Sequence, residues 1–273
     1  LEGAKHNLKN CWWIIDYNRQ SLDGIVFEKL FEKIINLFEL MDWNVEILKY
    51  GSKLQKLKQS KSGRKILKWI DNCPNDLFSA LTYQGGKDWR ETLLKVFSND
   101  QDTVNLIQSF NDQELNGLMT NLAGHDVDSL ELAFSKYVET DKPTCFICYT
   151  VKGFGLPLAG HKDNHSGIMN NNQFNDYKKL MKIREGQEWN KTEGIELNIN
   201  ELNSIIKSNP LSKCNREFSE VIPIKPLKEI AFNKFISTQE AFGKIMNEMG
   251  KVDNSFTNRI ITTSPDVTVS TSL

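Results

Sequence analysis

Two short segments carry the residue types that can do chemistry. The first runs Asp16-Tyr17-Asn18-Arg19-Gln20 and closes with Ser21-Leu22-Asp23-Gly24. An Asn side-chain oxygen and a main-chain carbonyl two residues later can point to one side of a loop. Such hard oxygens suit Mg²⁺, which prefers octahedral oxygen sites shared with phosphate. Asn18 and Asp23-Gly24 are also common turn formers, and by themselves they favour a plain turn over a metal site. The second segment follows Thr150. Gly153, Gly155 and Gly160 let backbone approach a ligand closely, and Lys152 can meet a phosphate. His161 and His165 lie four apart, two of only four histidines in the chain. Neutral imidazoles there can shuttle protons or hydrogen-bond an oxyanion. A zinc site is the rival reading, short of a third ligand because Asp163 is the one nearby carboxylate. An exposed surface loop is the plainer one.

Other candidates carry less. Cys145 and Cys148 form a CxxC, but residues three apart on a strand point to opposite faces and cannot jointly grip a metal. His125, in Ala123-Gly124-His125-Asp126, precedes a helix, and entry to that helix explains it as well as function does. Trp12 and Trp13 alternate into two buried layers and read as core. His6 reads as a helix-surface residue.

These segments need a scaffold that presents them. Residues 11–17 (CWWIIDY) form a continuous apolar run turning polar at its end, the pattern of a buried strand in a parallel sheet. Phe27, Leu30, Phe31, Ile34, Ile35, Phe38 and Met41 recur at three- and four-residue spacing and predict an amphipathic helix. Residues 45–48 predict the next strand, completing a βαβ unit. Residues 53–122 read as mostly helical. Asp128 and Glu131 make a capping box for a helix reaching about Glu139. Residues 144–150 (TCFICYT) predict another buried strand, whose end opens into the Gly-rich loop. A helix is expected near 173–181, another over 238–249, and a strand over 259–263. In open α/β sheets ligands bind beyond the carboxyl ends of strands, where both chemical segments fall.

Composition narrows the class. The chain has 273 residues, 39% hydrophobic, with 34 basic against 35 acidic side chains. No long block of like charge marks a nucleic-acid footprint, so no nucleic-acid partner is expected. The apolar runs are too short to span a bilayer, so no membrane partner is expected either. Five cysteines, an odd number, argue against a disulfide framework and point to a reducing cytoplasm. The chain starts on Leu1 rather than Met and stops in a β-branched stretch without a cap, so both ends read as cut.

Taken together, IIDYNRQSLDG before a long helix, AGHD before another, YTVKGFG and HKDNH resemble the diphosphate-binding domain of the homodimeric, decarboxylating subunit of pyruvate dehydrogenase. STQEAFGKIM and ITTSPDVTVSTS are similar to the start of that family's pyrimidine-binding domain. Transketolase is a more distant likeness, carried by HKDNHSG. The resemblance implies an α/β parallel-sheet thiamine-diphosphate-binding fold, truncated at both ends. It divides the chain into a diphosphate-binding domain over 1–192, a linker over 193–235 and the start of a pyrimidine-binding domain over 236–273.

The cofactors implied are thiamine diphosphate and Mg²⁺. The metal falls to Asn18 and to the carbonyl of Gln20, with a further Asp ligand expected before Leu1. The cofactor falls to Asn18, Gln20, Lys152, Gly153, His165 and Asp266. Asp16 stands where close relatives often have a second Asn, and an unpaired acid there would repel phosphate. His165 is the implied proton-transfer or intermediate-stabilising residue and His161 the secondary one. The activity implied is oxidative decarboxylation of pyruvate with acetyl transfer to a lipoyl group. The partners are a 2-oxo acid substrate, a second subunit in a homodimer and a lipoyl-bearing acyltransferase. Ketol transfer from a ketose is the alternative activity. A non-catalytic binding or assembly module is the alternative of another class, since the chain by itself is expected to be inactive.

Overall fold

The computed structural model describes residues 2–21, 24–26, 30–210, 230–232, 235–252 and 256–262. Two compact units are present, Leu1–Ile195 and Glu196–Leu273. The first is an α/β unit. After a short helix α1 (Glu2–Lys5) come strand β1 (Trp12–Tyr17), a hairpin of β2 (Gln20–Ser21) and β3 (Gly24–Ile25), helix α2 (Leu30–Leu40) and strand β4 (Asn44–Leu48). Six helices follow: α3 (Ser52–Leu57), α4 (Lys61–Asn72), α5 (Asn75–Gln84), α6 (Gly86–Val96), α7 (Gln101–Gln108) and α8 (Asp112–Met119). Helix α9 (Val127–Ser135), strand β5 (Thr144–Tyr149) and helix α10 (Asn171–Leu180) complete it.

The three main strands form a parallel sheet in the order β1-β5-β4. The expected βαβ unit is therefore split: β5, some hundred residues downstream, inserts between β1 and β4 and pairs with both. Being central, β5 is buried along its whole length. Its side chains alternate as the pleat requires, Cys145, Ile147 and Tyr149 into one core and Phe146 and Cys148 into another. Both cysteines are free, and burial pushes their thiols up, Cys145 to about 12 and Cys148 to about 11. They are inert packing residues, as their spacing on a strand predicts.

Strand β1 corrects an expectation. Trp12 does face one layer, against Phe134 and Phe146, and Trp13 the other, against Phe38. Yet Trp12 is 40% and Trp13 57% exposed, and neither is core. The reason is topological: β1 is an edge of the described sheet, so an apolar run that reads as buried is covered only in part. The main core joins one face of β5 to the helices. Trp89 is fully buried between Trp69 and Phe78, with ring centroids 6.1 and 5.3 Å away.

Helix α9 begins two residues earlier than its sequence signature. Asp126, not Asp128, is the N-cap and accepts from the Ser129 N–H at 3.0 Å, and the helix ends at Ser135 rather than near Glu139. The same carboxylate accepts from the backbone N–H of Ser52 at 3.0 Å and its hydroxyl at 2.7 Å, tying α9 to α3. Burial alone would raise the Asp126 carboxyl, but the hydrogen bonds from Ser129 and Ser52 outweigh it and hold the group well below the usual range. A depressed folded-state value means stability that is complete above the ordinary carboxylate pKa and lost as pH falls below it. Asp126→Ala is accordingly expected to cost about 1–2 kcal/mol at neutral pH by urea denaturation. The deficit should shrink below pH 4; a deficit constant with pH would exclude the charged cap as its source.

In the second unit, α11 (Ile199–Ser208) lies inside the stretch 193–235, and α12 (Thr238–Gly250) occupies the helix expected over 238–249, capped by Ser237. The strand expected over 259–263 is not formed in its described part. Thr257–Arg259 is a 3₁₀ turn, and residues 260–262 have no regular structure. A β-branched run needs a neighbouring strand to pair with, and none lies beside it among the described residues.

Candidate functional site

The site begins with register. Strand β1 pairs with β5 so that Asp16 faces Cys148 and Tyr17 faces Tyr149. Both strands therefore end level and release their loops side by side, at the carboxyl edge where α/β sheets bind ligands.

In the first loop the Asn18 side-chain oxygen accepts from the Gln20 N–H at 3.0 Å, closing an Asx turn. Arg19 within this turn has φ of +65°, and its nearly buried guanidinium lies 3.8 Å above the Phe78 ring on α5. Gln20 then reaches across, its Nε2 donating to the Gly160 carbonyl at 3.1 Å. The two segments singled out by their chemistry are thus bonded to each other.

The second loop is folded on itself and clamped to α5. The Lys152 carbonyl accepts from the Gly160 N–H at 3.1 Å and from the Asn164 side chain at 2.9 Å, so the loop closes into a ring. Gly153 adopts φ of +70°, a conformation that favours glycine, and a Cβ there would meet the Asn164 amide at an ordinary 3.4 Å. His161 meets the Tyr83 ring edge-on at 4.6 Å, and its Nδ1 accepts from the Asp163 N–H at 3.1 Å. That bond leaves the ring proton on Nε2. His165 ends the 3₁₀ turn Lys162–His165, which packs beside β3, and it is exposed. Asp266, with Leu22 and Asp23, lies outside the described residues.

One residue set aside on sequence grounds belongs to this edge. His125 accepts from the Val151 N–H through Nε2 at 2.8 Å, and its ring stacks on Phe154 at 3.9 Å and 12°. Its neighbour Asp16 accepts a short hydrogen bond from the Thr150 hydroxyl. That acid, expected to repel phosphate, is thus partnered by a hydroxyl of the neighbouring strand end. No pattern in the sequence near His125 reveals its bond, because the partner lies 26 residues on.

An Asn oxygen that accepts one hydrogen bond, here from the Gln20 N–H, keeps a second lone pair that can meet a cation. Two neutral oxygens are only part of an Mg²⁺ sphere. No group of three His, Cys, Asp or Glu suited to a metal occurs among the described residues. Gly153, without a side chain, leaves the loop backbone open to close approach by a phosphate group.

Comparison with curated proteins gives one consistent answer. The chain is similar to pyruvate dehydrogenase E1 components. It is 27% identical over 158 residues to that of Corynebacterium glutamicum, covering 57% of this chain and 17% of the relative. It is 27% identical over 164 residues to that of Escherichia coli K12, covering 59% and 18%. It is 29% identical over 165 residues to that of Buchnera aphidicola from Schizaphis graminum, covering 59% and 18%. The chain thus spans less than a fifth of the length of these E1 relatives. No family model matches it. No helix among the described residues is long and apolar enough to cross a membrane.

Proposed function

We propose that this chain contributes the diphosphate-binding wall of a thiamine-diphosphate-dependent enzyme that decarboxylates pyruvate oxidatively and passes the acetyl unit to a lipoyl group. The observation that carries it is the bond from Gln20 to Gly160, which joins the Asn18–Gln20 turn to the Gly-rich loop. The E1 relatives support the choice of chemistry. The Asn18 oxygen and Gln20 carbonyl would contribute to the Mg²⁺ sphere, with the backbone of Lys152 and Gly153 against the diphosphate. When bound, thiamine diphosphate supplies the carbanion and the electron sink for carbon–carbon cleavage. His165, exposed at the loop end, moves protons at the substrate, and His161 supports it through its remaining N–H. By the same resemblance, Asp266 would serve the cofactor held by the partner subunit. Division into a diphosphate-binding domain, a linker and the start of a pyrimidine-binding domain goes with this reading, as does a homodimer served by a lipoyl-bearing acyltransferase. Four free cysteines among the described residues support a reducing, cytoplasmic setting.

The test uses the intact natural protein. Release of carbon dioxide from pyruvate, dependent on thiamine diphosphate and Mg²⁺, is the expected result. Ketol transfer between sugar phosphates without that release would replace the reading with a transketolase one. Absence of cofactor binding would leave a non-catalytic module.

A further inference from the structure

His125 holds a backbone N–H at the root of the Gly-rich loop, and its local geometry is built around that bond. It ends the 3₁₀ turn Ala123–His125, and Gly124 within the turn lies hard against the end of β5. A Cβ on Gly124 would fall 2.7 Å from the Tyr149 carbonyl and 2.4 Å from the Thr150 methyl. Only glycine brings the turn this close, and the closeness puts the His125 ring within reach of Val151. The bond then falls on the first residue after Thr150, before the chain turns through Lys152 and Gly153. Stacking on Phe154 grips the loop a second time, three residues on. Two contacts from one ring therefore bracket the two residues that the proposed function sets against the diphosphate.

We propose that His125 is a positioning residue, fixing Lys152 and Gly153 in the geometry that receives a diphosphate. This rests on the proposed function for its ligand but not for its mechanics. The role requires a neutral ring, because Nε2 accepts a hydrogen bond only when unprotonated. Burial favours the neutral form and lowers the His125 pKa, while the Asp16 carboxylate opposes. Of the titratable and charged groups, the Asp16 carboxylate on β1 acts on the ring directly; Asp126 adjoins it in the chain, Lys152 follows its partner Val151, and Cys148 on β5 lies against Gly124. Asp126 is committed to Ser52 and Ser129, and the Cys148 thiol stays protonated.

The experiment is amide hydrogen exchange across residues 151–154 of the cofactor-free natural protein, paired with thiamine diphosphate titration in the presence of Mg²⁺. His125→Ala should lower protection of the Val151 amide about tenfold, the size of one lost hydrogen bond, and weaken cofactor binding by a similar factor. His125→Gln keeps an acceptor at the same reach without a titrating ring, and should restore most of both. As pH falls below about 6.5, the usual histidine value, protection of Val151 should decline in the wild type but not in His125→Gln. Unchanged protection in His125→Ala, or a pH decline that persists in His125→Gln, would overturn the proposal. Should His125→Ala fail to fold, the comparison of wild type with His125→Gln decides alone. A wild type that binds no cofactor while the exchange results hold would refute the proposed function and leave the positioning bond standing.

Discussion

His165→Ala in the intact natural protein should lower pyruvate turnover by about 10²–10⁴-fold, the range for a lost proton-transfer group. Thermal stability should not change. The second half follows from the structure: His165 is exposed at the end of a short 3₁₀ turn, so little packing is lost with the ring. Cofactor affinity should also hold, because the loop is secured elsewhere, through Gly160, Asn164 and His161. A fall in kcat with an unmoved Kd for thiamine diphosphate separates a proton-moving role from a binding one. Turnover within threefold of wild type would remove His165 from the chemistry and shift attention to His161. His161→Ala should behave differently, losing its bond to the Asp163 N–H and its contact with Tyr83, so stability and activity should fall together.

What the sequence made legible was governed by local rules. The TCFICYT run is a strand because a central parallel strand is apolar on both faces, and β5 is that strand. The Asn18 turn was visible because Asx turns depend on one side chain and its next two residues. Failures came where the deciding partner is distant in sequence. CWWIIDY carries the same apolar signature as β5, yet it lies at the described edge and leaves Trp12 and Trp13 partly open. Only the pairing order distinguishes the two, and that order is set by a strand inserted from far downstream. The Asp128–Glu131 spacing satisfies the capping rule two residues late, so local pattern alone does not single out Asp126 as the α9 cap. The links from Asp126 to Ser52 then decide which carboxylate serves. His125 fails to announce itself for the same reason, since its partner is a backbone N–H that carries no residue-type signal.

The joint between the two chemical segments is the most sensitive point of the site, and Gly160→Ala should expose it. Gly160 has φ of +77°, a conformation that costs an L-residue about 1–2 kcal/mol. An added Cβ would also fall 2.8 Å from the Ser79 carbonyl and 2.9 Å from the Thr82 Cβ. Neither neighbour can yield easily. Ser79 is buried in the backbone of α5, Thr82 is pinned by its hydroxyl to the Phe78 carbonyl at 2.8 Å, and Phe78 itself lies under Arg19. Strain and overlap together should destabilise the protein by about 2–4 kcal/mol in urea denaturation. Gly155→Ala is the control, for Gly155 has φ of +79° and open space around its would-be Cβ, so only the conformational part applies. The loss beyond Gly155→Ala therefore measures steric overlap with α5. If the loop relieves that overlap by lifting off the helix, the Gly160 carbonyl leaves Gln20 and its N–H leaves Lys152. Thiamine diphosphate affinity should then fall in Gly160→Ala and hold in Gly155→Ala. Equal stability losses in the two variants would show that the loop does not bear on α5, and that Gln20 and Gly160 meet without being held together.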